Sequence, residues 1–181
     1  MKKLIIAVAI VCAAVVSQAA AVGWNCAGAT DFKGGDYSIF VLGMNGVKTD
    51  ASQAAAQIKA IVAASGLEAA SSYAFASDVV NASNGSATKA NTASGKSITY
   101  SGSGTDTYSA IIFVQDVDGE KASFTAPVSI TMADNSTSKT FSFGNQATAF
   151  TSNKFDVAPE PTSGLLLLIG VAGLALKRRR A

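Results

Sequence analysis

Three kinds of hydrophobic pattern follow one another along the chain. Uninterrupted apolar runs, Leu4 to Val16 and Gly164 to Leu176, lie near the two ends. Between them, Tyr37 to Leu42 (YSIFVL) is almost continuously apolar, β-branched or aromatic and predicts a buried strand, ended by Gly43, Asn45 and Gly46. From Ala51 to Ser65 the period changes: Ala51, Ala54, Ala55, Ile58, Ile61 and Val62 follow helical spacing, Asp50 can cap the start with Gln53 three residues on, and Gly66 can end it in a left-handed turn. Leu67 to Val80 fits either a second helix or an irregular strand. Asn81 to Gly95 has no apolar period and reads as a surface loop or mobile insert.

The remainder alternates. Ile98 and Tyr100 share a face, Ala110 to Val114 form a second buried run, and Phe124, Ala126, Val128, Ile130 and Met132 oppose Ser123, Thr125, Ser129 and Thr131. A period of two predicts a sheet with one wet face. Pro127 cannot donate to a ladder, so it belongs at a sheet edge or bulge. Asp118-Gly119 predicts a hairpin through a tight primed turn, and Phe141 and Phe143 a further strand. The fold class predicted is predominantly antiparallel β, sandwich-like or α+β, with one amphipathic helix near residues 50–65, flanked by an N-terminal signal helix and a C-terminal membrane helix.

The ends are addresses. Lys2 and Lys3, the apolar run, and small residues at Ser17, Ala19 and Ala21 make residues 1–21 a secretion signal, with cleavage after Ala19 or Ala21 fitting equally well. Residues 22–157 are then the exported domain and 158–181 a tail: prolines, an apolar stretch at 164–176, then Lys177, Arg178, Arg179 and Arg180. Cations stay on the cytoplasmic side of a bilayer, so the tail directs the domain outward, as the front signal requires. The stretch is shorter than the roughly 20 residues that span a bilayer comfortably, which suits a transient signal better than a permanent anchor.

Pro159-Glu160-Pro161, the apolar stretch and the terminal Arg cluster together resemble the PEP-CTERM sorting signal, along the whole of PEPTSGLLLLIGVAGLALKRRR. The resemblance implies a bacterial surface protein recognised at Pro159, Glu160 and Pro161 by an exosortase, a membrane-embedded processing enzyme. It also implies a membrane stop at Lys177 to Arg180 and removal of the tail on the way from the inner membrane to the surface or matrix. Many proteins with this tail are linked to exopolysaccharide or biofilm matrix, while their exported domains differ widely.

Setting the addresses aside changes the charge. Residues 22–157 hold eight Lys against eleven Asp plus Glu, with no Arg and no His, a balance of −3 where the whole chain is +2. Nucleic acid, which needs a dense cationic face, is an unsuitable partner. Of the two cysteines only Cys26 lies in the domain, as a buried apolar residue, a free thiol or an intermolecular link.

Candidate chemistry is sparse. The chain has no histidine, so the commonest general base and zinc ligand are absent. Asp116, Asp118 and Glu120 are the nearest thing to paired catalytic carboxylates or a calcium loop, but they fall at a hairpin tip, and the twelfth position counted from Asp116 is Pro127 rather than an acid. Trp24, Tyr37, Tyr73, Tyr100 and Tyr108 are either core residues or a sugar-stacking face, with Trp24 and Tyr100 the glycan contacts to test. The expectation is a surface or matrix protein without catalysis or cofactor, handled by the export machinery and an exosortase, held to membrane through its tail. The alternative is a carbohydrate-binding module for extracellular polysaccharide.

Overall fold

A computed structural model describes residues 18–89, 96–100, 104–133 and 136–158. The N-terminal run, Pro159–Glu160–Pro161, the apolar stretch 164–176 and Lys177 to Arg180 lie outside the described residues. Within them the chain runs β1 (Gln18–Ala27), β2 (Asp36–Val41), α1 (Ala51–Ser65), β3 (Ala76–Val79), β4 (Ala87–Lys89), β5 (Ser97–Tyr100), β6 (Thr105–Gln115), β7 (Lys121–Phe124), β8 (Val128–Ala133), β9 (Ser138–Asn145), α2 (Ala147–Ser152) and β10 (Phe155–Asp156). Two 3₁₀ turns, Thr30–Phe32 and Glu68–Tyr73, complete it. The described protein is therefore β-rich with few helices. No helix among the described residues is long and apolar enough to cross a membrane.

The strands form two sheets. In the first, β1 is central. Ala21 pairs with both Ser97 and Ser138, and Trp24 with both Lys89 and Phe141, so β9 lies along one edge of β1 while β4 and β5 follow one another along the other. The β1–β9 pair is parallel, an exception in an otherwise antiparallel set. In the second sheet β6 is central: Ala110 pairs with both Val41 and Val128, which puts β2 on one side and β7 and β8 in succession on the other. β3 and β10 form its outer edges.

Sheet faces and helix stripe then pack as layers. Trp24, Ile98, Tyr100 and Phe141 from the first sheet meet Tyr37, Ile39, Ile112 and Met132 from the second in one core. Phe40, Ile111 and Phe113, on the opposite face of the second sheet, meet Ala54, Ile58 and Val62 of α1 in another. The second sheet is thus buried on both faces, which is why β2 and the middle of β6 read as continuous apolar runs.

Several expectations hold in detail and several do not. α1 spans the predicted range, with Asp50 Oδ1 accepting the Gln53 N–H at 2.9 Å. Gly66 ends it, but at φ 76 and ψ 172 it is extended rather than left-handed helical, a region open essentially to glycine. Leu67 to Val80 divides into a 3₁₀ turn and β3. Part of the predicted loop 81–95 is β4, held by its pairing with Trp24 to Cys26. The alternating segment 123–132 is not one strand: it breaks around Pro127 into β7 and β8. Nor is its polar side all wet, since Ser123 and Thr125 are buried while Ser129 and Thr131 are exposed. Ser123 Oγ donates to the Phe150 carbonyl at 2.6 Å, and α2, which the pattern did not predict, is what covers it. β1 begins at Gln18, so residues 18–21, read as the end of the signal and its helix, are strand.

Candidate functional site

The chain leaves the described domain at Val157 and Ala158. Val157 is packed into the helix-side core, its N–H donating to the Glu120 carbonyl at 2.9 Å, and the Ala158 N–H donates to the Ala63 carbonyl at 2.8 Å. Both border a cleft of about 510 Å³ whose rim includes Asp36, Glu68, Asp116, Asp118 and Glu120. Among the described residues no Lys or Arg lines it.

The β6–β7 connection shapes one wall. Gly119 donates its N–H to the Asp116 carbonyl at 3.2 Å, and Asp116 Oδ1 accepts the Lys121 N–H at 3.0 Å. Gly119 has φ 74 whereas Asp118 is not at positive φ, so this is a longer turn and not the primed two-residue turn that the Asp-Gly step predicts. Gln115 fixes it to the opposite wall: its Nε2 donates to the Gly119 carbonyl at 3.1 Å and its Oε1 accepts the Leu67 N–H at 2.5 Å. Asp36 starts β2 and Glu68 starts the second 3₁₀ turn, which is how acids distant in sequence reach one rim. Nothing in the sequence pattern joined them.

Among the described residues no three His, Cys, Asp or Glu side chains converge to hold a metal ion. The one thiol in the domain, Cys26, is 3% exposed in the first core and burial pushes its pKa up to about 12, so it carries no nucleophilic thiolate near neutrality.

No known family model, curated protein or solved structure matches the chain.

The aromatic side chains do not form a sugar-stacking face. Trp24 is 2% exposed, and its Nε1–H donates to the Tyr37 hydroxyl at 3.1 Å across the two sheets. Its ring meets Phe75 edge-on at 6.4 Å. Tyr100 is 3% exposed, with its hydroxyl donating to the Ala133 carbonyl. Trp24 and Tyr100, the glycan contacts expected from sequence, are corrected to core residues: each ring supplies apolar area and its polar tip bonds within the interior. Tyr37 is buried beside them, its pKa pushed up to about 12 first by burial and then by the Asp78 charge, against the Trp24 bond that lowers it. Tyr73 and Tyr108 are half-buried on different elements.

A second concavity, about 540 Å³, lies between the first half of α1 and the β7–β8 break, lined by Ala51, Ala55, Ile111, Phe124 and Pro127 with Lys59 at its edge. It is apolar-floored. The outward side of the first sheet is different again: Asn25, Thr88 and Ser142 are exposed there, with Asn25 Nδ2 3.5 Å from Ser142 Oγ.

Proposed function

We propose that the chain is an exported protein of the bacterial cell surface or extracellular matrix, delivered by a C-terminal exosortase-type signal and without catalytic activity of its own. The observation that carries this reading is the continuous run from Pro159-Glu160-Pro161 through the apolar 164–176 to Lys177, Arg178, Arg179 and Arg180. The export machinery takes the precursor by its N-terminal signal helix. The short C-terminal helix enters the inner membrane transiently, with its cations held inside. An exosortase acts at the proline motif, and the domain passes to the surface.

The exit geometry supports that order. With Val157 and Ala158 bonded into the domain, residues 159–163 supply the whole link to the apolar stretch, at most ~17 Å when extended. On this reading the motif follows the folded domain directly in sequence and precedes the membrane segment, which suits processing by an enzyme of the membrane. The β-rich domain reads as sandwich-like with α1 as a third layer, and acts through its surface. Exposed Asn25, Thr88, Ser129, Thr131 and Ser142 are neutral hydrogen-bonding groups suited to weak contact with exopolysaccharide. Such contact runs through hydroxyls and amides, since Trp24 and Tyr100 are interior.

The test compares cells producing the natural chain with cells producing a variant in which Pro159, Glu160 and Pro161 are all Ala. The natural chain is expected in the surface or matrix fraction and the variant in the inner membrane. Equal release of both would remove the exosortase reading.

A further inference from the structure

The N-terminal address can be cut at more bonds than the pair the sequence favours. Signal peptidases require a small residue at the last position of the leader and a small or short aliphatic one at the third-last. Ala19 and Ala21 meet this for cleavage after Ala21, and Ser17 and Ala19 for cleavage after Ala19. Val15 and Ser17, with the bulkiest of the three choices at the third-last position, meet it for cleavage after Ser17.

The fold distinguishes these bonds. β5 pairs with β1 through Gln18↔Tyr100, Ala19↔Thr99, Ala20↔Ile98 and Ala21↔Ser97, and among the described residues it has no other strand partner. Ala20 is wholly buried in the core between the sheets, as is Ile98 opposite it, with Tyr100 nearly so. Cleavage after Ala21 removes every one of those pairings and bares one side of Ile98 and Tyr100. Cleavage after Ala19 removes half of them and places the new ammonium group on Ala20, at a position with no exposure, where an unpaired charge is costly. Cleavage after Ser17 keeps the ladder whole and places the charge at the first residue of β1, ahead of the exposed Ala19.

We infer that a signal peptidase hydrolyses the Ser17–Gln18 bond, so that the mature protein begins at Gln18 and residues 18–21 belong to the exported domain. The inference rests on the export reading given above. Hydrolysis adds one water across the bond, leaving the leader's carboxylate on Ser17 and an amine on Gln18. An N-terminal glutamine can then close to a lactam, the amine displacing ammonia from its own side-chain amide.

The experiment uses the full chain with its own leader in an exporting bacterium, with the N-terminal peptide of the exported protein identified by mass spectrometry. Gln18, as glutamine or as its lactam, is expected. Ala20 or Val22 would overturn the inference and leave the export reading standing, whereas an intact Met1 would overturn both. Two variants add an independent readout. Ala19→Phe alters an exposed position, lies beyond the Ser17–Gln18 bond, and is expected to be processed like the natural chain. The same change puts a bulky ring at the last or third-last position for either other site, so accumulation of its precursor would overturn the inference. Val15→Phe is expected to lose the Gln18 N-terminus, and a natural chain and Val15→Phe variant that both begin at Ala20 or Val22 would likewise overturn it.

Discussion

Thr125 sits where the edge of β6 passes from one partner strand to the next, and its hydroxyl does the work of a missing ladder bond. Its N–H donates to the Ile112 carbonyl at 2.9 Å, and the Ile112 N–H donates to Thr125 Oγ1 at 3.1 Å. Thr125 is 1% exposed and Ile112 not at all. Thr125→Val preserves the shape and the methyl group but strands a buried amide N–H, which costs about 1–3 kcal/mol. Thr125→Ser keeps the oxygen and loses one methyl, about 0.8 kcal/mol of burial. The polar link therefore predicts the stability order Thr, then Ser, then Val, whereas burial alone predicts Val equal to Thr and Ser below both. Urea denaturation at unchanged m reads the difference, and for a domain of this size about 2 kcal/mol lowers Tm by roughly 5–8 °C. Hydrogen exchange at the Ile112 amide should quicken in Val and not in Ser. Thr125→Val at least as stable as the natural protein would refute the reasoning.

Trp24→Phe should lose the bond to the Tyr37 hydroxyl, about 1 kcal/mol, and leave any polysaccharide co-sedimentation unchanged; loss of binding in a folded variant would return Trp24 to a surface role. Cys26 should resist thiol reagents at pH 8 until denaturant is added, and rapid labelling of the native protein would contradict its burial. Both Cys26 and Tyr37 have folded pKa values raised to about 12 from ordinary values of 9.0 and 10.0, so the stability they contribute is full below the ordinary values and is lost as pH rises towards 12. A denaturation midpoint that falls across that alkaline range, less steeply in Cys26→Ala, is expected, and one rising there would contradict the sign. The purified domain should turn over no glycoside, ester or peptide. Turnover abolished by Asp116→Ala, Asp118→Ala or Glu120→Ala would overturn the non-catalytic reading.

What the sequence carried was local. α1 was legible because an amphipathic period, a capping Asp50 and a terminating Gly66 agree over one short stretch. β2 and the middle of β6 were legible because burial on both faces leaves few polar positions to confuse the pattern. The failures are non-local. β4 is a strand because Trp24 to Cys26 of β1 pair with it, and its own Ala-Thr-Lys composition carries no such signal. Ser123 and Thr125 look like wet-face residues until α2 and the β7–β8 break place carbonyls and an amide against their hydroxyls. Trp24 and Tyr100 fit both a core and a binding face by composition, and the pairing of the two sheets decides between them. The acid-rimmed cleft is likewise assembled from β2, a 3₁₀ turn and the β6–β7 connection, elements whose proximity no short motif records.

The sorting claim rests on the tail, so the carboxyl end of the surface-exposed chain tests it most directly. Intact-mass measurement of protein shed from the cell surface is predicted to give a chain that ends within or just after Pro159-Glu160-Pro161 and lacks the apolar stretch 164–176. Shed protein that still carries Lys177 to Arg180 would contradict the account.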